Sequence, residues 1–235
     1  MSVLRSHDVA LWRHVIDTHD ASIRARQELF TKCSCLEVLV DRGSTTSGES
    51  AAAQALLGPL RHRARRDTAV TPTPFDSALW KRYVTAYTEY AKARQDLLNG
   101  SANVLELVRH GLSAPGDRAA ALEITGALPE HDRVMLFDEL LALGSYVHGQ
   151  MMNAQDLVLS LPRPWLKANI EPHAEILLAD GTDEEYRALF GLFVRIDHEM
   201  ARRLIQRARA HRSGEVREAG EDLDALLRAE EAGGG

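Results

Sequence analysis

The sequence predicts an all-α protein on three observations. Apolar residues recur at three- and four-residue steps along most of the chain, helix start and stop residues punctuate those runs, and no segment keeps the two-residue alternation of a strand. The chain has 235 residues, 45% of them hydrophobic and 26% charged, which is enough apolar material for one sizeable core or two smaller helical ones.

Taking the elements in order, Leu11, Val15, Ile16, Ile23, Leu29, Phe30, Cys33 and Leu36 predict one long amphipathic helix from Ser6, its N-cap, to about Val40. The stretch from Asp41 to Ser50 is rich in Gly, Ser and Thr and reads as a loop. A second helix is expected from Glu49 to about Arg66, ending in Arg-His-Arg-Ala-Arg-Arg. The two prolines in the segment DTAVTPTP force extended backbone, so residues 1–70 are expected to form an N-terminal hairpin or arm and residues 71–231 a helical-hairpin domain, with 232–235 as a flexible tail. Beyond the break, Thr73 and Pro74 give a cap and a first helical residue, and Asn99-Gly100 gives a stop.

Shorter helices are then expected over Ser101–Gly111, Asp117–Ala127, Glu130–Leu143, Tyr146–Ser160 and Arg163–Ala179. Thr182-x-x-Glu185 is a capping box. It opens a stripe of Tyr186, Leu189, Phe190, Phe193, Met200, Leu204 and Ala208 that reads as a single helix stopped by Ser213-Gly214. A last amphipathic helix runs from Glu215 to about Glu231.

Two stretches match at a spacing of 33 residues: Ala121, Ile124, Leu128 and Pro129 fall on Ala154, Leu157, Leu161 and Pro162, and Phe137 falls on Ile170. A helix, a Leu-Pro turn and a second helix in each copy resemble a HEAT-like helical repeat over about residues 117–179. The resemblance implies stacked helix pairs serving as an interaction scaffold.

Histidine and cysteine chemistry disperses under helical geometry. His7-Asp8, His19-Asp20 and His131-Asp132 suggest an all-α metal-dependent phosphohydrolase of the HD type, but successive helical residues diverge by about 100°, and these groups do not converge. In Glu171-x-His173-x-Glu175 the two-residue step sends His173 away from both glutamates, and Cys33 and Cys35 diverge in the same way. No Glu-x-x-His pair occurs, so the di-iron bundle pattern is missing, and the Walker, Gly-x-Gly-x-x-Gly, His-Glu-x-x-His and Gly-x-Ser-x-Gly motifs are missing too. Arg195, Glu199 and Arg203, four residues apart, are expected to pair with one another on a solvated helix face. No metal site and no cofactor are expected.

Two surfaces stand out as candidates. Trp80, Tyr83, Tyr87, Tyr90 and Arg94 share one helical stripe whose phenol and indole groups suit either a bundle core or a partner or ligand surface. Arg61, Arg63, Arg65 and Arg66 suit an anion or an acidic partner, or simply offset a helix dipole.

The formal net charge of −6 supplies no positive field to draw nucleic acid or an anionic membrane. No apolar run approaches the roughly 20 residues of a membrane span, and two cysteines do not make a disulfide framework. A cytoplasmic location follows as the expectation. Arginine greatly outnumbers lysine, which occurs only at positions 32, 81, 92 and 167, a bias of GC-rich bacterial genomes. The expected function is a non-catalytic protein–protein interaction or scaffold module with a protein partner, able to self-associate through the N-terminal helix. The alternative is a helical-bundle enzyme or small-molecule-binding protein, including a metal-dependent hydrolase.

Overall fold

The protein is represented by a computed structural model, which describes residues 5–32, 51–52, 54–55 and 77–233. The described residues form eleven helices and no strand, so the fold is all-α. None of these helices is long and apolar enough to cross a membrane. The chain divides into two compact units, Met1–Leu107 and Val108–Gly235. That division falls beyond the Pro/Thr segment, which lies outside the described residues along with Cys33, Cys35, the 41–50 loop, Thr73 and Pro74.

The first unit is built on α1 (Ser6–Lys32) and α2 (Ser77–Gly100), packed along each other. The two helices are antiparallel. Leu11 lies beside Gly100 at one end, while Leu29 shares a core cluster with Leu79, Trp80, Tyr83 and Ala52 at the other. Trp12, Val15, His19, Ser22 and Leu29 form the buried seam of α1, and Tyr83, Tyr90, Ala93 and Leu97 form that of α2. α2 therefore belongs with the N-terminal helix and not with the C-terminal half. A helix of this length has an apolar stripe that only another long helix covers, and burying each large side chain contributes about 1.5–3 kcal/mol.

Asp8 closes the open end of the hairpin. It is 2% exposed and accepts a 2.9 Å hydrogen bond from Asn103 Nδ2. Side-chain hydrogen bonds from Ser101 and Asn103 hold its carboxyl below the usual range.

The second unit holds the remaining helices: the C-terminal part of α3 (Val104–Ser113), α4 (Arg118–Ala127), α5 (Glu130–Val134), α6 (Phe137–Gly144), α7 (Met151–Leu159), α8 (Arg163–Leu178), α9 (Asp183–Ile196), α10 (His198–Arg209) and α11 (Gly214–Gly233). Sequence neighbours pack together, α6 on α7, α8 on α9, and α10 on both α9 and α11. Helices further apart in sequence pack as well: α4 on α7, α7 on α9, α9 on α11, and α6 on α8. Most polar ties between helices join residues about one hairpin apart in sequence. Examples are Gln155 to the Ala188 carbonyl, 33 residues on, and Arg203 to Glu171, 32 residues back.

Two expected helices are broken in two. The helix expected over Glu130–Leu143 turns at Met135-Leu136, and the break lets the adjacent Leu136 and Phe137 both be buried, at 0% and 2% exposed. Arg109 donates to the Met135 carbonyl freed there. The stripe from Tyr186 to Ala208 is interrupted at Asp197, whose backbone is extended (φ −165°, ψ 126°). Asp197 then caps α10 by accepting from the Glu199 N–H at 2.8 Å. The capping box at Thr182 forms as expected, with Glu185 reaching back to the Thr182 N–H at 2.8 Å.

Candidate functional site

A concavity in the second unit lies between α8, α9 and α10, with a volume of about 260 Å³. Its apolar floor is Ala174 and Leu178 from α8, Phe193 from α9 and Leu204 from α10. Its rim carries Glu171 and Glu175 from α8 and Arg203 and Arg207 from α10. The four-residue step within each pair is what sets both members on one face of their helix.

The charged groups close on each other in order along the rim. Arg203 meets Glu171 in a bidentate pair, Nε to Oε1 at 2.7 Å and the second guanidinium nitrogen to Oε2 at 2.8 Å. Arg207 pairs with Glu175 and also donates to the Tyr186 hydroxyl at 3.0 Å. Glu171 raises the pKa of Arg203, while burial raises that of the Tyr186 phenol. The first residues of each pair meet, and so do the second, so α8 and α10 run in the same direction. Beyond the rim Asp197 accepts from Lys167, which together with the Glu199 N–H lowers its pKa to about 2.

Such a site presents an apolar slot between two neutralised ion pairs. It holds no Ser, Cys or His nucleophile, and each of its carboxylates is engaged by a guanidinium.

The sequence-derived candidates are placed differently. Trp80, Tyr83 and Tyr90 are 5%, 1% and 1% exposed and form core, not surface. Tyr87 and Arg94 are half-buried at the edge of that core, with the Arg94 guanidinium 5.7 Å from the Tyr90 ring centre. Of the two settings the stripe suits, Trp80, Tyr83 and Tyr90 occupy a bundle core. Arg61, Arg63, Arg65 and Arg66 lie outside the described residues.

Among the described residues no group of three or more His, Cys, Asp or Glu is placed to hold a metal ion. His173 turns away from Glu171 and Glu175, pairing with Asp138 and meeting the Phe137 ring edge-on at 5.1 Å between centroids. The expected mutual pairing of Arg195, Glu199 and Arg203 does not form. The break at Asp197 puts Arg195 on a different helix, where it binds Asp156, while Glu199 binds Arg202 and Arg203 binds Glu171.

The slot itself escaped the reading by motifs. Its only trace in the sequence is that Glu171/Glu175 and Arg203/Arg207 repeat the same internal step one hairpin apart. Compared with known proteins, the chain matches no family model, no curated protein and no solved structure.

Proposed function

We propose that the second unit is a non-catalytic interaction scaffold of stacked HEAT-like hairpins that docks a protein segment across the α8–α10 slot. The observation that carries this reading is the regular polar tie between helices one hairpin apart. Asp138 to His173, Glu171 to Arg203 and Glu175 to Arg207 join α6, α8 and α10 side by side, at separations of 35, 32 and 32 residues. Helices stacked in one direction leave a continuous groove along their line, and grooves of this kind suit extended or helical segments. The cytosolic setting belongs to the same reading and rests on the cysteine usage and the lack of long apolar runs.

The competing reading, a helical enzyme or small-molecule binder, makes an opposite prediction for the purified full-length chain. Native mass measurement with elemental analysis should find the bare polypeptide. Stoichiometric metal or a retained small molecule would overturn the scaffold reading. A photoreactive residue replacing Glu175 should crosslink a protein partner, and the same group at Glu221, on α11, should not. Equal labelling at both positions would remove the slot from the proposal.

A further inference from the structure

The loop between α6 and α7, residues 145–150, is held by one imidazole. His148 Nε2 lies 2.7 Å from the Leu143 carbonyl oxygen, and its Nδ1 receives the Gln150 N–H at 3.1 Å. A carbonyl only accepts and an amide N–H only donates, so the two bonds together fix the ring. Nε2 carries the hydrogen and Nδ1 keeps its lone pair, which is the neutral imidazole in one tautomer. A second proton has only Nδ1 to go to, where it would set one N–H against another. Leu143 lies in the last turn of α6 and Gln150 is the N-cap of α7, so the ring spans the joint between them. α9 meets the same joint. Its Glu184 accepts from the Val147 N–H at 2.6 Å, and its Ala188 carbonyl shares the Gln155 amide with Gly144.

We infer that His148 is an acid-sensitive latch: protonation of its ring releases the 145–150 loop from α7 while the rest of the second unit stays folded. Imidazoles change charge between about pH 5 and 8, so the release belongs to mildly acid conditions. The charged groups of the surrounding helices are engaged elsewhere. On α6, Asp138 pairs with His173 and Glu139 with Arg109. On α7, Asp156 pairs with Arg195 of α9. On α9, Asp183 pairs with Arg187, Glu185 holds Thr182, Tyr186 accepts from Arg207, and Glu184 takes the Val147 N–H. Tyr146, on the loop itself, sets its ring 4.5 Å from the imidazole, centre to centre. Among the described residues no carboxylate lies within ion-pair distance of the His148 ring to hold an imidazolium in place. His173 is the opposite case. Its Nδ1 faces the Asp138 carboxylate, a bond that a charged ring keeps. The latch concerns the joint of α6, α7 and α9 and does not depend on the scaffold reading.

Amide hydrogen exchange of the full-length chain, expressed as protection over the intrinsic rate at each pH, reads the latch. Between about pH 8 and 5, protection at Val147 and Gln150 should fall, by up to about tenfold per pH unit because one proton is coupled to the opening. Leu189, in the core of α9, should keep its protection over the same range. His148→Asn leaves a side-chain oxygen able to accept the Gln150 N–H in an Asx turn and takes up no proton there, so its profile should be flat. Nitrogen NMR of the wild-type ring at neutral pH, which needs no variant to fold, should find hydrogen on Nε2 and none on Nδ1. A flat wild-type profile overturns the proposal, and so does a fall shared equally by Leu189. A fall that persists in His148→Asn, or hydrogen on Nδ1 at neutral pH, overturns it as well.

Discussion

The two units solve the problem of holding helices together in different ways. In the first, two long helices pack along one seam. In the second, no helix except α11 exceeds the sixteen residues of α8, and each is held by several neighbours. Isolated helices below about 12–15 residues are marginal in water, so the short ones exist because of their packing. Ion pairs run across the second unit in number, yet most are exposed, and exposed pairs contribute about 0–1 kcal/mol each. Apolar contact therefore sets stability in both units, while the polar ties of the second set register.

This contrast can be broken most directly in the cores. Leu97→Ala in α2 and Leu189→Ala in α9 each empty a site that is 0% exposed, and each should cost about 2–5 kcal/mol in denaturant unfolding. A much smaller loss at Leu189 alone would mean that the ion pairs hold the second unit after all.

Gly220→Ala tests the closest helix approach. An added Cβ would sit 2.9 Å from the Arg209 backbone nitrogen and 3.0 Å from Ala208 Cβ, so α10 and α11 must separate. A loss of about 1–3 kcal/mol is expected where the same change in an open helix gains up to about 1. Stabilisation would show room between these helices.

Asp197→Asn keeps an acceptor for the α10 cap but removes the charge that Lys167 binds. The folded carboxyl titrates at about 2, below its unfolded value near 4. Its contribution is thus complete above pH 4 and fades as the pH falls toward 2. The variant should lose that part of the acid dependence, measured as the unfolding midpoint between pH 5 and 2, and an unchanged profile would show that Lys167 does not act on Asp197.

The smallest effect is expected from Arg203→Ala. It removes an exposed pair, and stability should change by no more than about 1 kcal/mol.

The contrast also explains what the sequence disclosed. Periodicity and punctuation located most of the described helices, because Thr182, Glu185 and the Leu-Pro turns act within a few residues of themselves. The two breaks stayed hidden. At Met135-Leu136 and at Asp197 the apolar period runs on, and the carbonyls freed at Met135 and Ile196 are bound by the distant side chains of Arg109 and Arg163. The tyrosine stripe was legible as a stripe but not as core, since burial depends on α1 lying opposite. The slot was least legible of all. Its four charged residues come from two helices, and only their tertiary pairing distinguishes them from the many other glutamates and arginines of the chain.

Gln155, 3% exposed, donates from one amide nitrogen to the Gly144 carbonyl at 2.8 Å and to the Ala188 carbonyl at 3.0 Å. Those carbonyls belong to α6 and α9, and the donor to α7. If any one of the three helices leaves, a buried amide or a buried carbonyl loses its partner, at a cost of about 1–3 kcal/mol. Peeling the second unit apart one hairpin at a time is penalised at its middle, so its centre should melt as a single cooperative block while its ends fray.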